Sequence, residues 1–419
     1  MLVSLTTCGT RGDTQPMVVL GSELRRRGHE VRIAASPNTL DIPRRCGFEA
    51  LPLGPDSQQL MESPAGQRWL AAGNVGKFMK ELSAISRQSY TRSVEETRAA
   101  CASADVIVSG ILSEDLTAVF AEAADIPLAT LHHAPYRPNR AYPNPMVASR
   151  KLPPRMNQAT GLLFDRVFWR GTRDEVEPLR AQLGLPEAKI SLARRRTAPT
   201  DLELQAYDEL LVPGLEWDAR RARIGFLALD QPLREALGES GLDPELTAWL
   251  EAGEPPVFFG FGSMPVQDPA AVVTLITEVS RALGVRALIS AGWGRLSALE
   301  PDGHDVTVVG AVDHDAVLTR CVAAVHHGGA GTLATSLGAG IPTVVCSVFA
   351  DQPFWGQRVV DQGVGAHLRF AKLTRTTLER ALREALVPQV RDRARVLGGA
   401  LQSGQSAAVR AADAIEAIT

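Results

Sequence analysis

Apolar and polar positions along this chain fall into two successive arrays in which short apolar runs alternate with longer amphipathic stretches. The run at 2–7 reads as a strand, and a polar glycine turn follows at 8–13. Pro16 is expected to open a helix that continues to about residue 27 with Met17, Leu20 and Leu24 on one face. Gly28 stops that helix and 31–35 is a second strand, so the first 35 residues form a β-α-β unit whose crossover implies parallel pairing. Further strands are expected at 48–53, 105–109, 127–132 and 201–206, with a helix at 114–124 and helical patterns over about 63–104, interrupted near 73–76, and 156–183. Between them runs a long proline-bearing connection, 133–154, which carries Tyr136, Arg137, Arg140 and Tyr142 and has the length of a functional loop.

After a stretch with Pro213, Gly214 and Trp217 that reads as a linker, the alternation restarts. Helices are expected at 244–251 and 269–283, strands at 256–261, 286–290, 306–309, 322–325 and 343–346, and closing helices at about 374–386, 390–402 and 407–418. Two arrays of this kind predict an α/β protein of two Rossmann-like, doubly wound domains facing across a cleft. At 419 residues the chain exceeds what one core usually holds. The expected division is an N-terminal domain over 1–212, a linker over 213–230, a second domain over 231–402 and a terminal helix over 403–419.

A formal net charge of −3 gives no broad basic field, which argues against nucleic acid as the partner. The five cysteines, at 8, 46, 101, 321 and 346, are far apart and mostly in apolar runs, so they read as buried thiols rather than a disulfide or metal framework. No apolar run reaches the ~20 residues that span a bilayer, and a charged turn follows the first strand directly, so a cytoplasmic protein without a signal peptide is expected. Glycines at 9 and 12 are too few for a dinucleotide fingerprint, and no acidic residue ends the second strand, which removes a nicotinamide cofactor from the reading.

Chemistry concentrates in 322–353. An apolar run breaks at His326 and His327 into Gly328, Gly329, Ala330 and Gly331, and Thr332 opens a helical pattern. In such a strand–turn–helix the glycines let the backbone approach a ligand, and the unpaired amides at the helix start form an anion site suited to a diphosphate. His327 is placed to add a hydrogen bond to the same phosphates, while Asp351 and Gln352, past the next strand, are placed to bond a polyol. The same glycines also serve tight helix packing. Elsewhere the second array offers Gly262 and Ser263 as phosphate or sugar contacts or as a plain turn, and Trp293 as a nucleobase platform or a packing residue.

The segment from Gly310-Ala311-Val312-Asp313-His314, through HHGGAGT, to FADQPFWGQRV and Gly363-Val364-Gly365 resembles the donor-binding region of family 1 glycosyltransferases. The nearest likeness is to bacterial enzymes that decorate glycopeptide and macrolide antibiotics and to their sterol-glucosylating relatives. The resemblance spans most of the chain and implies the GT-B architecture. It implies a site in which Gly12, Gly262, Ser263, Trp293, Val312, His327, Gly329, Ala330, Gly331, Thr332, Asp351 and Gln352 hold a dTDP- or UDP-sugar, Val312 through its backbone. It also implies catalysis without metal or cofactor, since no paired acidic ligand motif stands near the donor stretch.

The GTRGD turn matches the family turn whose aspartate is assigned as the base. Read from the residues alone, Asp13 is either a carboxylate that takes a proton from an acceptor hydroxyl or a cap of the following helix. His132 and His133 end a strand of the same domain and are alternatives as base or, with Tyr136, as acceptor contacts; adjacent side chains point oppositely, so one of the two histidines at most faces a ligand. Glu114 and Asp115 read as capping residues. The implied reaction is inverting transfer of a hexose or deoxyhexose to a hydroxyl of a lipophilic natural product, by a monomer or homodimer with Asp13 and His327 as catalytic residues. Two rivals share the architecture: a sugar-nucleotide epimerase and an inert helper of an active transferase.

Overall fold

Runs such as Val106–Gly110 and Val257–Gly260 carry few polar side chains on successive residues, so both faces of any sheet they enter must be covered. The computed structural model meets that demand twice, and it describes residues 1–64, 66, 89–191, 201–261, 268–290, 304–310, 312–403 and 405–419. Met1–Leu233 with Gln405–Thr419 form one unit and Arg234–Gly404 form the other. In the first, β1 (Leu2–Thr6), β2 (Glu30–Ala35), β3 (Glu49–Pro52), β4 (Val106–Gly110), β5 (Leu128–His132), β6 (Leu202–Gln205) and β7 (Arg221–Arg223) form a parallel sheet in the order β3-β2-β1-β4-β5-β6-β7. In the second, β8 (Val257–Gly260), β9 (Ala287–Ser290), β10 (Val306–Val309), β11 (Ala323–His326), β12 (Thr343–Ser347) and β13 (Gly365–Arg369) form another, in the order β10-β9-β8-β11-β12-β13.

Each order reverses once, beside β1 and β4 in the first sheet and beside β8 and β11 in the second. Doubly wound sheets bind ligands outside the carboxyl ends of the strands at that reversal. The turns that leave β1 and β11 therefore occupy the two privileged positions. Alternation along the strands covers both faces of the second sheet: Val257, Phe259 and Val325 belong to one apolar cluster, and Phe258, Leu288 and Ala324 to another.

Several elements differ from the sequence expectation. The first helix runs Arg11–Arg26, so it begins ahead of Pro16. Thr10 caps it by accepting from the Gly12 N–H, and the Asp13 carboxylate accepts in return from the Thr10 N–H, a reciprocal capping box that starts the helix early. Pro16 then forfeits only one interior bond, to Gly12. The strand at Leu202–Gln205 is not the last of its sheet, because Arg221–Arg223, inside the stretch expected as linker, pairs beyond it. Gly365–Arg369, which carries the family motif's final glycine, is a strand as well. Of the helical pattern at 63–104, residues 89–101 are helical, and the break near 73–76 lies outside the described residues.

The C-terminal helix, Ala407–Glu416, belongs to the first unit and packs on the helix Arg11–Arg26. Small side chains, Ala408, Ala411 and Ala412, permit the close approach, and Ile415 is completely buried. Arg27 Nη1 lies 2.7 Å from both Asp413 Oδ1 and Glu416 Oε2, and Arg410 Nε donates to the Ile224 carbonyl at 2.8 Å. Ile415→Ala should lower unfolding free energy by about 2–5 kcal/mol. Hydrogen exchange should quicken in Arg11–Arg26; quickening confined to Arg234–Gly404 would contradict the packing.

Candidate functional site

The turn after β11 is built around a buried imidazole. His326 Nδ1 accepts the Gly328 N–H at 3.0 Å, which leaves the proton on Nε2 to meet Ser336 Oγ at 3.1 Å. Ser336 in turn donates to the Leu333 carbonyl and accepts from Thr343. Burial holds the His326 pKa well below its ordinary value, so this tautomer persists at neutral pH. Gly328 sits at φ +91°, where only glycine is unstrained, and a Cβ there would lie 2.5 Å from Val345 Cγ1. The helix Ala330–Gly338 follows with Gly329 as its N-cap and no side chain capping it. Its first internal bond is Leu333 N–H to the Gly329 carbonyl, so the amides of Ala330, Gly331 and Thr332 have no acceptor within the helix.

His327 stands beside those amides. Its Nε2 approaches Gly329 so closely that a Cβ at 329 would lie 2.5 Å away. Burial lowers its pKa to about 4, partly opposed by the Gly260 carbonyl, so the ring is neutral near pH 7. A neutral imidazole, three convergent amides and a helix N-terminus make a site for an anion with several oxygens.

Asp351 and Gln352 follow β12, past Ala350, whose φ of +56° is unusual for a residue with a side chain. Asp351 Oδ2 accepts from the Trp355 indole at 2.9 Å, and Trp355 is wholly buried in the core. Gln352 is buried too, and its carbonyl oxygen accepts from the Val348 and Phe349 amides at 2.8 and 3.2 Å. That oxygen is committed to the turn, which leaves Asp351 as the more accessible of the pair. Val312 packs against the cluster of Phe258 and Leu288. Gly262, Ser263 and Trp293 lie outside the described residues.

In the first unit the turn after β1 holds Asp13. Gly9, at φ +133°, could carry no Cβ, because the Asp13 carboxylate occupies that space. Ser36 Oγ accepts the Gly9 N–H at 2.9 Å and Ser57 Oγ donates to the Gly9 carbonyl at 2.5 Å, which pins the turn. Gly12 is exposed on the helix's first turn. The capping bonds from Thr10 stabilise ionised Asp13, yet burial outweighs them and raises its pKa to about 6. Although a partly exposed edge remains, the surrounding protein leaves little water near the carboxylate. Asp13 thus caps the helix and keeps a pKa raised to about 6 at the same time.

His132, at the end of β5, is fully buried and lies 3.3 Å from Glu114 Oε2. His133 keeps a partly exposed edge, and burial, with help from His132, lowers its pKa to about 4. Of the two candidates only His133 can meet a ligand without rearrangement. Glu114 also pairs with Arg137, which donates through Nε to Glu203 at 2.7 Å, and Glu203 accepts from Arg221 at 2.6 Å. Sequence patterning reads Glu114 as a cap, since nothing local announces partners at 137 and 203. Next to this network a shallow recess is lined by Tyr136, Arg137, Glu114, Asp115, Phe164 and Phe168, with Tyr136 and Phe164 stacked at 6.4 Å between centroids. Phe164 and Phe168 fall within a helical pattern that gave no sign of a ligand face.

Two family models match: the glycosyltransferase family 28 N-terminal domain over residues 3–143, and the erythromycin biosynthesis protein CIII-like C-terminal domain over residues 289–398. An uncharacterised glycosyltransferase of Mycobacterium leprae is 36% identical, with 99% of this chain and 96% of that protein aligned. A sterol 3-beta-glucosyltransferase of Arabidopsis thaliana is 32% identical across 98% of this chain and 65% of its own length. Among solved structures, the glycotransferase of kitacinnamycin superposes with a TM-score of 0.71 at 21% identity over 100% of this chain and 98% of that one. The glycosyltransferase VinC in complex with dTDP gives 0.64 at 18% identity, over 100% and 99%.

Gly331 has nothing within 4 Å of a notional Cβ. Gly331→Ala should therefore hold or gain up to about 1 kcal/mol of stability from helix propensity, while the new methyl group obstructs an anion above the amides. Unchanged affinity for a nucleoside diphosphate by calorimetry would move the site elsewhere. Asp13, with a folded pKa near 6 against an ordinary 3.8, contributes stability that is full below pH 4 and lost as pH rises through 6. Asp13→Asn keeps a capping oxygen without the charge, so denaturant titrations should show it gaining on the wild type at pH 7.5 relative to pH 4. An equal difference at both would show that Asp13 ionises normally.

Proposed function

The chain belongs to the family 1 glycosyltransferases of GT-B fold, and from that premise we propose that it moves a hexose or deoxyhexose from a dTDP- or UDP-sugar to a hydroxyl of a lipophilic acceptor, with inversion. The observation that carries the reading is the convergence of neutral His327 with the amides of Ala330, Gly331 and Thr332 at the reversal of the second sheet. These groups bind the donor diphosphate and stabilise the charge that builds on it as the glycosidic bond breaks, so no metal ion enters the scheme. Asp351 would hold the sugar. A nucleotide is favoured by the neighbour solved with dTDP, and a lipophilic acceptor by the sterol-glucosylating relative and by the aromatic recess at Tyr136, Phe164 and Phe168.

In this reading the acceptor hydroxyl attacks the anomeric carbon from the side opposite the diphosphate in one displacement. Asp13 takes the hydroxyl proton; a pKa near 6 leaves it mostly ionised at neutral pH yet basic enough to share a proton in the transition state. His133, lowered to about 4, is a weaker base and serves instead as a neutral hydrogen-bonding group toward the acceptor.

Asp13→Asn should cut transfer by roughly two to four orders of magnitude while the fold is kept and donor affinity barely changes. Full activity in that variant would pass the base to another group. His327→Ala should lose donor binding and turnover together, at about 2–4 kcal/mol in kcat/KM. A panel of nucleotide sugars assayed by thermal shift identifies the donor, since whichever binds the native state raises the melting temperature. If no member of the panel did so, the transferase reading would fall.

A further inference from the structure

The long helix Pro154–Gln182 turns its inner side toward the first unit's core, where Asn157, Gly161, Trp169, Val176 and Leu179 are buried. Its outer side is not the polar surface such a helix ordinarily presents. Met156 is 54% exposed, Leu162 45%, Leu163 53% and Val167 45%, all in the helix's first half. At 100° per residue these four and the exposed Arg155, Arg166, Arg170 and Arg173 share an arc of about 140°. Arg173 pairs with Glu187 at 3.2 Å, whereas Arg155, Arg166 and Arg170 form no ion pair with a described residue. Two acids share the arc, both in the helix's second half: Asp174, near its edge, and Glu177, half-buried and accepting the Ala188 N–H.

Large apolar side chains ringed by guanidinium groups suit a surface that is apolar beneath and anionic above. A second copy of the same face would set arginine against arginine. The apolar residues also neighbour the recess along the helix: Phe164 and Phe168, which line it, each follow a residue of the exposed stripe, Leu163 and Val167. We propose that this face docks on an anionic lipid bilayer, from which a membrane-dissolved acceptor passes along the helix into the recess. The passage rests on the transferase reading given above; the docking does not.

Co-sedimentation with vesicles tests it, and because that needs neither donor nor acceptor, its failure is separable from failure of the transferase reading, which transfer to a water-soluble acceptor measures. The full chain should bind vesicles of equimolar phosphatidylglycerol and phosphatidylcholine and bind pure phosphatidylcholine far less. Arg166→Gln and Arg170→Gln should each weaken the anionic partition roughly fivefold, and Leu163→Asp by about tenfold. Melting temperatures should stay put, since all three side chains are exposed. The proposal is overturned by absence of binding to the anionic vesicles, by equal binding of the arginine variants, or by a dimer that Leu163→Asp dissolves.

Discussion

One buried hydrogen-bonded imidazole holds the turn after β11 in shape. His326 has no exposed surface, accepts an amide from Gly328 and donates to Ser336, and so ties the end of β11 to the last turn of the helix that follows. Remove it and the Gly328 N–H loses its acceptor inside the protein, which costs about 1–3 kcal/mol for a buried group. More than stability is at stake, because the same bonds decide where the amides of Ala330, Gly331 and Thr332 point. The adjacent His327 can face a ligand because His326 takes the inward position, paired in register with Val345 of β12 and Gly260 of β8.

The two units reach functional geometry by the same route. Each winds its chain in both directions from a central pair of strands, and each places a constrained glycine turn at the carboxyl end of a central strand, Gly9 after β1 and Gly328 after β11. What differs is the electrostatics. The first turn presents an acid whose charged form is disfavoured by burial, suited to accepting a proton; the second presents neutral donors and a helix N-terminus, suited to an anion. A glycosyltransferase needs both polarities, and the chain keeps them on separate folding units.

Much of this was legible because parallel sheets buried on both faces write themselves as continuous apolar runs, and the helices 114–124, 244–251 and 269–283 fall where periodicity puts them. Edge strands were harder. Arg221–Arg223 has two arginines in three residues and is held by Glu203, a partner that no local pattern discloses. The first helix began early because a capping box outweighed the proline, and in that box one carboxylate oxygen of Asp13 serves the helix while burial raises the group's pKa. The choice between His132 and His133 depended on strand register and on the distant Glu114–Arg137–Glu203 network, which only the fold assembles.

In the proposed reaction, the amides opening the helix Ala330–Gly338 hold the donor diphosphate. Amide proton and nitrogen shifts followed by NMR while a nucleoside diphosphate is titrated in test it most directly. The Ala330, Gly331 and Thr332 protons should move downfield together and saturate at one affinity, as amides do when they take up an anionic acceptor. Saturable binding that leaves those three resonances in place would contradict it.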